Sequence, residues 1–391
     1  MINRVERKGT GCEKYDPQNL INLCGNPNAE PFWVADMDLE CPKAVQQALL
    51  DIVNHKAYGY QYFPQLPQAF INFAKKRHNL DLTPDDIVVS PGVLASVSAA
   101  TQLYAGYDII IPFPAYKPFV GIANNLGRKI HPWKLSYNKD SAHYTMDFDA
   151  LLAIANQPGQ KLLCFCSPHN PSGRVWNAQE LDTLLTICKD YNIPILSDEI
   201  HADLAFKGQK HIPLVTLAAQ YNVQVITFMA PSKTFNVAGN HLSITIFSDK
   251  ETKQRFQDFL RNNHNDESDL FSGAAAVACY SDSYTWLMEL LDMLEENANY
   301  IDTYFKTQLP QLRFVKPQAS FIGFIVCSAI VDKLPQGMDL AHFFGQKASV
   351  AMNDGPWFGQ GYSAFVRFNY ATDLQHLQAA LPSIKEAVNS L

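Results

Sequence analysis

The sequence predicts an α/β fold: a large domain with a mostly parallel sheet between helices, plus a smaller α+β domain. Through the middle of the chain, continuous apolar runs of strand length alternate with helix-like stretches. Strands that are apolar on both faces belong to parallel sheets covered by helices. Near residue 285 the alternation gives way to one long helical pattern and then to short strands, which marks the second unit. A chain of 391 residues, 47% of them hydrophobic, has ample apolar mass for both.

The elements follow in order. "DIVVS" (86–90) is a short apolar run ended by Pro91-Gly92, and "VLASVSAATQLYA" after it has the small and apolar residues of a helix. "YDIIIP" (107–112) and "KLLCFC" (161–166) are strand-like. "NAQELDTLLTICKDYN" (177–192) reads as a helix. Asn177 and Glu180 form a variant capping box there, and Leu181, Leu184, Leu185 and Cys188 make one apolar stripe. "IPILSD" (193–198) and "VQVITFM" (223–229) are further strands. "WLMELLDMLEENANYIDTYF" is the long helix, and "RFVKP", "FIGFIV", "AFVRFNY" and a final amphipathic stretch build the smaller domain. The expected divisions are 1–45, packing back on the small domain, 46–284 for the large domain and 285–391 for the small one.

Composition excludes several classes. Net charge is −7 with both signs interspersed and no basic block, so neither nucleic acid nor an anionic membrane is an expected partner. The run "FIGFIVCSAIV" (321–331) is too short to span a bilayer, and "MINRVERKGTG" lacks the apolar core of a signal peptide. Eight scattered cysteines suit a reducing cytoplasm. Cys164 and Cys166 have no second Cys or His pair at metal spacing, so no metal is expected. No G-x-G-x-x-G follows any strand, which disfavours a dinucleotide-binding dehydrogenase.

In open α/β sheets ligands bind beyond the carboxyl ends of the strands. The residues that follow the apolar runs are Gly92-Val93, Tyr116, Asn170, Asp198 with His201, and Ser232-Lys233. Singly, each has a plain reading as a turn, a helix cap, a half-buried ring or a solvated edge charge. Together they match one ligand, pyridoxal 5′-phosphate. Its aldehyde needs a lysine amine and its ring nitrogen a carboxylate. Its phosphate needs amides at a helix N-terminus, its face a ring to stack on and its phenolic oxygen a donor.

The ordered series "SPHNPSGRVW", "SDEIHADL" and "APSKTFNVAG" resembles fold type I of the pyridoxal-phosphate aminotransferase superfamily. "FWVADMD" (32–38), "YGY" (58–60), "SDEIH" and "AMNDGPWFGQGYSAFVRFNY" (351–370) resemble, more narrowly, its MalY/PatB-type cystathionine β-lyase (C–S lyase) branch. The resemblance spans nearly the whole chain and implies a role for each matching position. Lys233 would be the Schiff-base lysine, Asp198 the partner of the ring nitrogen, and Tyr116 the stacking ring. Asn170 and His201 would contact the phenolic oxygen. Ser232 and the amides of Gly92 and Val93 would hold the phosphate, joined by Tyr60 of the second subunit of a homodimer. Arg367 would clamp the substrate carboxylate, the plain alternative being a surface salt bridge. Trp33 and Asp36 would line the entrance.

The resemblance implies a carbon–sulfur β-lyase that cleaves L-cystathionine or a related cysteine thioether. Lys233 would take the Cα proton, a thiolate would leave Cβ, and hydrolysis would yield pyruvate and ammonia. An aminotransferase using the same residues is the alternative reading. A regulatory protein that keeps the fold without turnover is a third, against which the complete set of Lys233, Asp198, Asn170 and Arg367 argues. Phe324 and Val326 stand where relatives carry a tryptophan and an acid, and Asn240 and His241 where apolar residues are expected. These four are expected to touch neither the lysine nor the ring partners.

Overall fold

A computed structural model describes residues 2–60, 62–139 and 141–391. Its larger sheet has seven strands: β1 (Ile87–Ser90), β2 (Asp108–Phe113), β3 (Ile130–Lys134), β4 (Lys161–Cys166), β5 (Ile195–Asp198), β6 (Val225–Met229) and β7 (Ser243–Phe247). Their order is β1-β7-β6-β5-β4-β2-β3. β7 runs antiparallel to both neighbours and the remaining pairings are parallel, so the sheet is mostly parallel, as expected.

The apolar runs are continuous because both faces are covered. Every residue of β4 is buried. Leu163 and Phe165 pack with Trp133, Leu184 and Leu185 on one face, while Leu162 and Cys164 pack with Ile109, Phe228 and Phe256 on the other. Truncating such a residue, as in Leu163→Ala, typically costs about 2–5 kcal/mol. The helix over Ala178–Asp190 starts at the expected box: Glu180 N donates to Asn177 Oδ1 at 2.9 Å, and Asn177 N donates to Glu180 Oε2 at 2.8 Å. Its buried stripe includes Leu181, Leu184, Leu185 and Cys188.

A four-stranded antiparallel sheet follows: β8 (Arg313–Val315), β9 (Ile322–Val326), β10 (Asn353–Asp354) and β11 (Phe365–Asn369), in the order β8-β9-β11-β10. The helix Tyr284–Gln308 leads into it, and Leu374–Asn389 closes the chain. One apolar cluster runs from Phe70 and Tyr280 through Leu290 and Leu294 to Phe368 and Leu381, so the long helix is packed on both sides. The N-terminal segment joins the end of the chain. Glu30–Pro31 pairs in parallel with Val350–Ala351, and Asn369 N donates to the Phe32 carbonyl at 2.9 Å. Among the described residues no helix is long and apolar enough to cross a membrane.

Candidate active site

Register gathers the site. Cys166 lies opposite Asp198 and Asp198 opposite Phe228, so β4, β5 and β6 end in line. The residues that leave this edge surround a cavity of about 240 Å³. Gly92, Val93, Tyr116, Asn170, Asp198, His201, Ser232 and Lys233 all line it. The parallel strands and the short turns after them bring these eight groups together.

At one end, Gly92 opens the helix Val93–Leu103 with φ of 99°, a left-handed value that suits glycine. No backbone acceptor is recorded among the described residues for the amides of Val93, Leu94 and Ala95, as is normal for the first turn of a helix. With the Ser232 hydroxyl in the same wall, this end suits an anion. Elsewhere in the cavity Asp198 is buried, and one of its oxygens accepts from Ile200 N at 3.1 Å. No cationic nitrogen lies within 4.0 Å of it among the described residues. Burial pushes its pKa up to about 7, with the adjacent Glu199 adding to the rise. Lys233 Nζ donates to the Ala35 carbonyl at 2.6 Å. Burial pushes the amine down to about 8, with Arg367 acting in the same sense and Asp36 and Asp198 opposing. Tyr116 keeps its phenolic proton, since burial raises its pKa and Arg367 only partly offsets this. A carboxylate without a cation, an amine ready to lose its proton, an aromatic wall and an anion end fit pyridoxal phosphate.

Arg367 is not a surface salt bridge. It is 3% exposed in β11, and among the described residues no carboxylate reaches its guanidinium. Nη2 donates to the Trp33 carbonyl and to Asn353 Oδ1, both at 2.8 Å, and Nη1 donates to Asn170 Oδ1 at 3.4 Å. Nε has no partner. The guanidinium lies 5.1 Å from the Phe358 ring centroid and 5.7 Å from that of Trp357. Burial lowers its pKa to about 10.

Other expected residues fall differently. Trp33 reaches Arg367 through its backbone carbonyl, while its indole donates to Lys14 O at 3.0 Å. Asp36 forms a two-pronged pair with Arg7 at 2.6 and 2.8 Å. Tyr60 is fully exposed at 101% and does not line the cavity. Phe324 packs edge-on against Phe358 at 5.1 Å, behind the aromatic floor of Arg367. Val326, at the end of β9, pairs with Phe365. Asn240 and His241, expected to touch neither the lysine nor the ring partners, lie at the phosphate end of the cavity. They line the same cavity as Lys233, with His241 Cβ 3.8 Å from where a side chain on Gly92 would begin. Sequence reasoning missed two contributors: the Ala35 carbonyl and Asn353. Asn353 lies inside the motif "AMNDGPWFGQG" and pairs with Arg367 across β10 and β11. Ala35 lies inside the motif "FWVADMD", but it acts through its backbone carbonyl, which residue identity does not mark.

Comparison with known proteins agrees with this geometry. The model of the family "Aminotransferase class I and II" matches residues 19–384. Cystathionine beta-lyase PatB of Bacillus subtilis is 34% identical over 391 residues, spanning 99% of each chain. The crystal structure of cystalysin from Treponema denticola, which contains a pyridoxal 5′-phosphate cofactor, superimposes with a TM-score of 0.91. It is 28% identical and aligns over 99% of this chain and 98% of its own. The pyridoxal-phosphate-bound C–S lyase of Staphylococcus hominis gives 0.89 at 28% identity, over 99% and 97%.

Proposed function

Because the chain belongs to the aminotransferase class I and II family, we propose that it is a pyridoxal-phosphate-dependent carbon–sulfur β-lyase. Its substrate is L-cystathionine or a related cysteine thioether. The observation that carries this reading is a pair of uncompensated buried charges acting on Lys233. Among the described residues Asp198 lacks a cation and Arg367 lacks a carboxylate, and a cofactor with a cationic ring plus an amino-acid substrate would supply both. When bound, pyridoxal phosphate supplies an electron sink for the charge left at Cα of the substrate. Asp198 would hold the proton on the ring nitrogen. The Val93–Ala95 amides and Ser232 would bind the phosphate, the Gly92 amide being engaged by the Ser90 carbonyl at 2.9 Å, while Tyr116 would cover the ring and Asn170 and His201 would face the phenolic oxygen. Arg367 fixes the substrate carboxylate and thereby the direction of the Cα–H bond. Lys233, whose pKa burial lowers to about 8, takes that proton at Nζ. Departure of the Cβ thiolate then completes elimination, and water releases pyruvate and ammonia.

The family also contains aminotransferases, as its description says, so that reaction is the second reading. Purified protein given L-cystathionine and no keto acid separates the two. Pyruvate, ammonia and free thiol appearing together in catalytic amounts support the lyase, and their absence with cystathionine and with other cysteine thioethers overturns it.

We also propose a cytoplasmic homodimer in which Tyr60 reaches the phosphate end of its partner's cavity. Supporting this, Leu50, Val53, Tyr58, Tyr60 and Tyr62 are exposed large apolar groups, and a cleft of about 900 Å³ is lined by Tyr58, Tyr60, Tyr62 and Phe63. All eight cysteines are free, as a reducing compartment keeps them. A monomer with full activity at high dilution would refute the shared site. The two sheets support the division into 1–45, 46–284 and 285–391, which limited proteolysis would test.

A further inference from the structure

We propose that Ser320 is a positioning residue that locks His201 as the tautomer with its proton on Nε2, so that the imidazole presents an N–H donor to the cofactor cavity. The inference deepens the reading above and rests on it for the identity of the acceptor, the cofactor's phenolic oxygen. His201 is 2% exposed and lines the cavity beside Asn170, Asp198 and Lys233. Its Nδ1 lies 3.0 Å from Ser320 Oγ, in a buried contact. Among the described residues Nε2 has no protein partner. The imidazole is neutral: burial and the nearby cations Lys233 and Arg367 push its pKa down to about 3. A neutral ring has one proton, so one nitrogen donates and the other accepts.

The hydroxyl decides which. Ser320 is also 2% exposed, and among the described residues its Oγ has no second acceptor. If Nδ1 held the proton, the serine O–H would be buried with nothing to donate to. That penalty favours the opposite arrangement by roughly tenfold or more. The serine is held for this task. Its φ is 77°, a conformation that costs any residue with a Cβ. Its N–H donates to the Leu204 carbonyl at 3.0 Å, and its own carbonyl accepts from the Tyr370 hydroxyl at 2.9 Å. Tyr370 directly follows β11, the strand of Arg367, so the segment that carries the carboxylate clamp also braces the imidazole.

The test uses full-length protein labelled with ¹⁵N-histidine, with His201 assigned by its loss in His201→Gln. Wild type, Ser320→Ala and Ser320→Gly are compared with and without cofactor. The glycine variant removes the hydroxyl while relieving the φ of 77°, so a folding defect cannot imitate the effect. The expected result is an acceptor-type Nδ1 and a proton-bearing Nε2 in the wild type, and a mixed pattern in both unloaded variants. The visible-absorbance titration of the loaded protein should shift its midpoint upward by about half a pH unit or more, because a weaker donor stabilises the anionic oxygen less. A wild-type proton on Nδ1, or an unchanged nitrogen pattern in both variants, overturns the proposal. If cofactor fails to load on Lys233, the functional reading falls instead, and the nitrogen pattern of the unloaded chain still decides the role of Ser320.

Discussion

Replacing Arg367 should separate substrate recognition from cofactor binding. Of the five N–H donors of a guanidinium, three are engaged, by Trp33 O, Asn353 Oδ1 and Asn170 Oδ1. Two remain for a carboxylate. Charge-assisted bonds contribute about 1.5–3 kcal/mol each, so Arg367→Ala should lose about 3–4 kcal/mol of transition-state stabilisation once some reorientation is allowed. That is a fall in kcat/KM of roughly two to three orders of magnitude. Arg367→Lys should recover little. One ammonium cannot hold the Trp33 carbonyl, Asn353 and a planar carboxylate together. The fold should survive, since the cation is buried with no counter-charge among the described residues and its removal relieves that burden. The assay is kcat/KM for wild type, Arg367→Ala and Arg367→Lys on one thioether amino acid, beside the visible spectrum of each loaded protein. Spectra should coincide. Rates agreeing within about threefold would refute the clamp, and so would a spectrum that changes in step with the rate.

Borohydride treatment of the yellow protein should fix the cofactor on Lys233, read by peptide mapping; labelling at another lysine would contradict the site. Asp198→Asn should lose nearly all turnover yet stabilise the cofactor-free chain. The folded-state pKa of Asp198 is raised from 3.8 to about 7, so between those values the folded chain holds a proton that the unfolded chain has lost. Wild-type stability therefore falls as pH rises through that window, by about tenfold in the folding constant per unit at most. The melting-temperature gap in favour of Asp198→Asn should widen from pH 5 to pH 7, and a constant gap would show that the carboxyl is not strained. Gly92→Ala places a side chain at φ 99° with room around it, so about 1–2 kcal/mol of backbone strain should appear as a lower melting temperature. Cofactor affinity, measured by equilibrium dialysis, should weaken with it.

Much of the fold was readable because the inner strands β4, β5, β6 and β7 are buried throughout, which leaves continuous apolar runs in the sequence. Lys233, Asp198 and Asn170 stood out since the sheet edge is a local feature: apolar run, then chemistry. Arg367 gave no such signal, sitting in a strand of a different sheet, and only resemblance singled it out. Ser320 and the Ala35 carbonyl were illegible for a stronger reason. Ser320 acts on a histidine 119 positions away, and Ala35 acts through its backbone on an amine 198 positions away. Pairings at that distance follow from how two sheets dock, which no local pattern encodes. His241 and Asn240 stand out as polar where apolar residues are expected, but only the fold shows that the turn carrying them passes beside Gly92.

The N-terminal segment that pairs with the end of the chain also has a timing consequence. Phe32 N donates to the Ala351 carbonyl, and the carbonyls of Trp33 and Ala35 hold Arg367 and Lys233. On a ribosome the first of these partners emerges 319 residues before the second, an interval of roughly 15–65 seconds at ordinary rates of synthesis. Until then residues 30–36 have no strand to dock on, while the large sheet is already complete. An enzyme cut short by premature termination before β11 would keep Lys233 and Asp198 but lack Arg367, the residue proposed above to orient an amino acid. Full activity therefore reports that translation has reached its last strand.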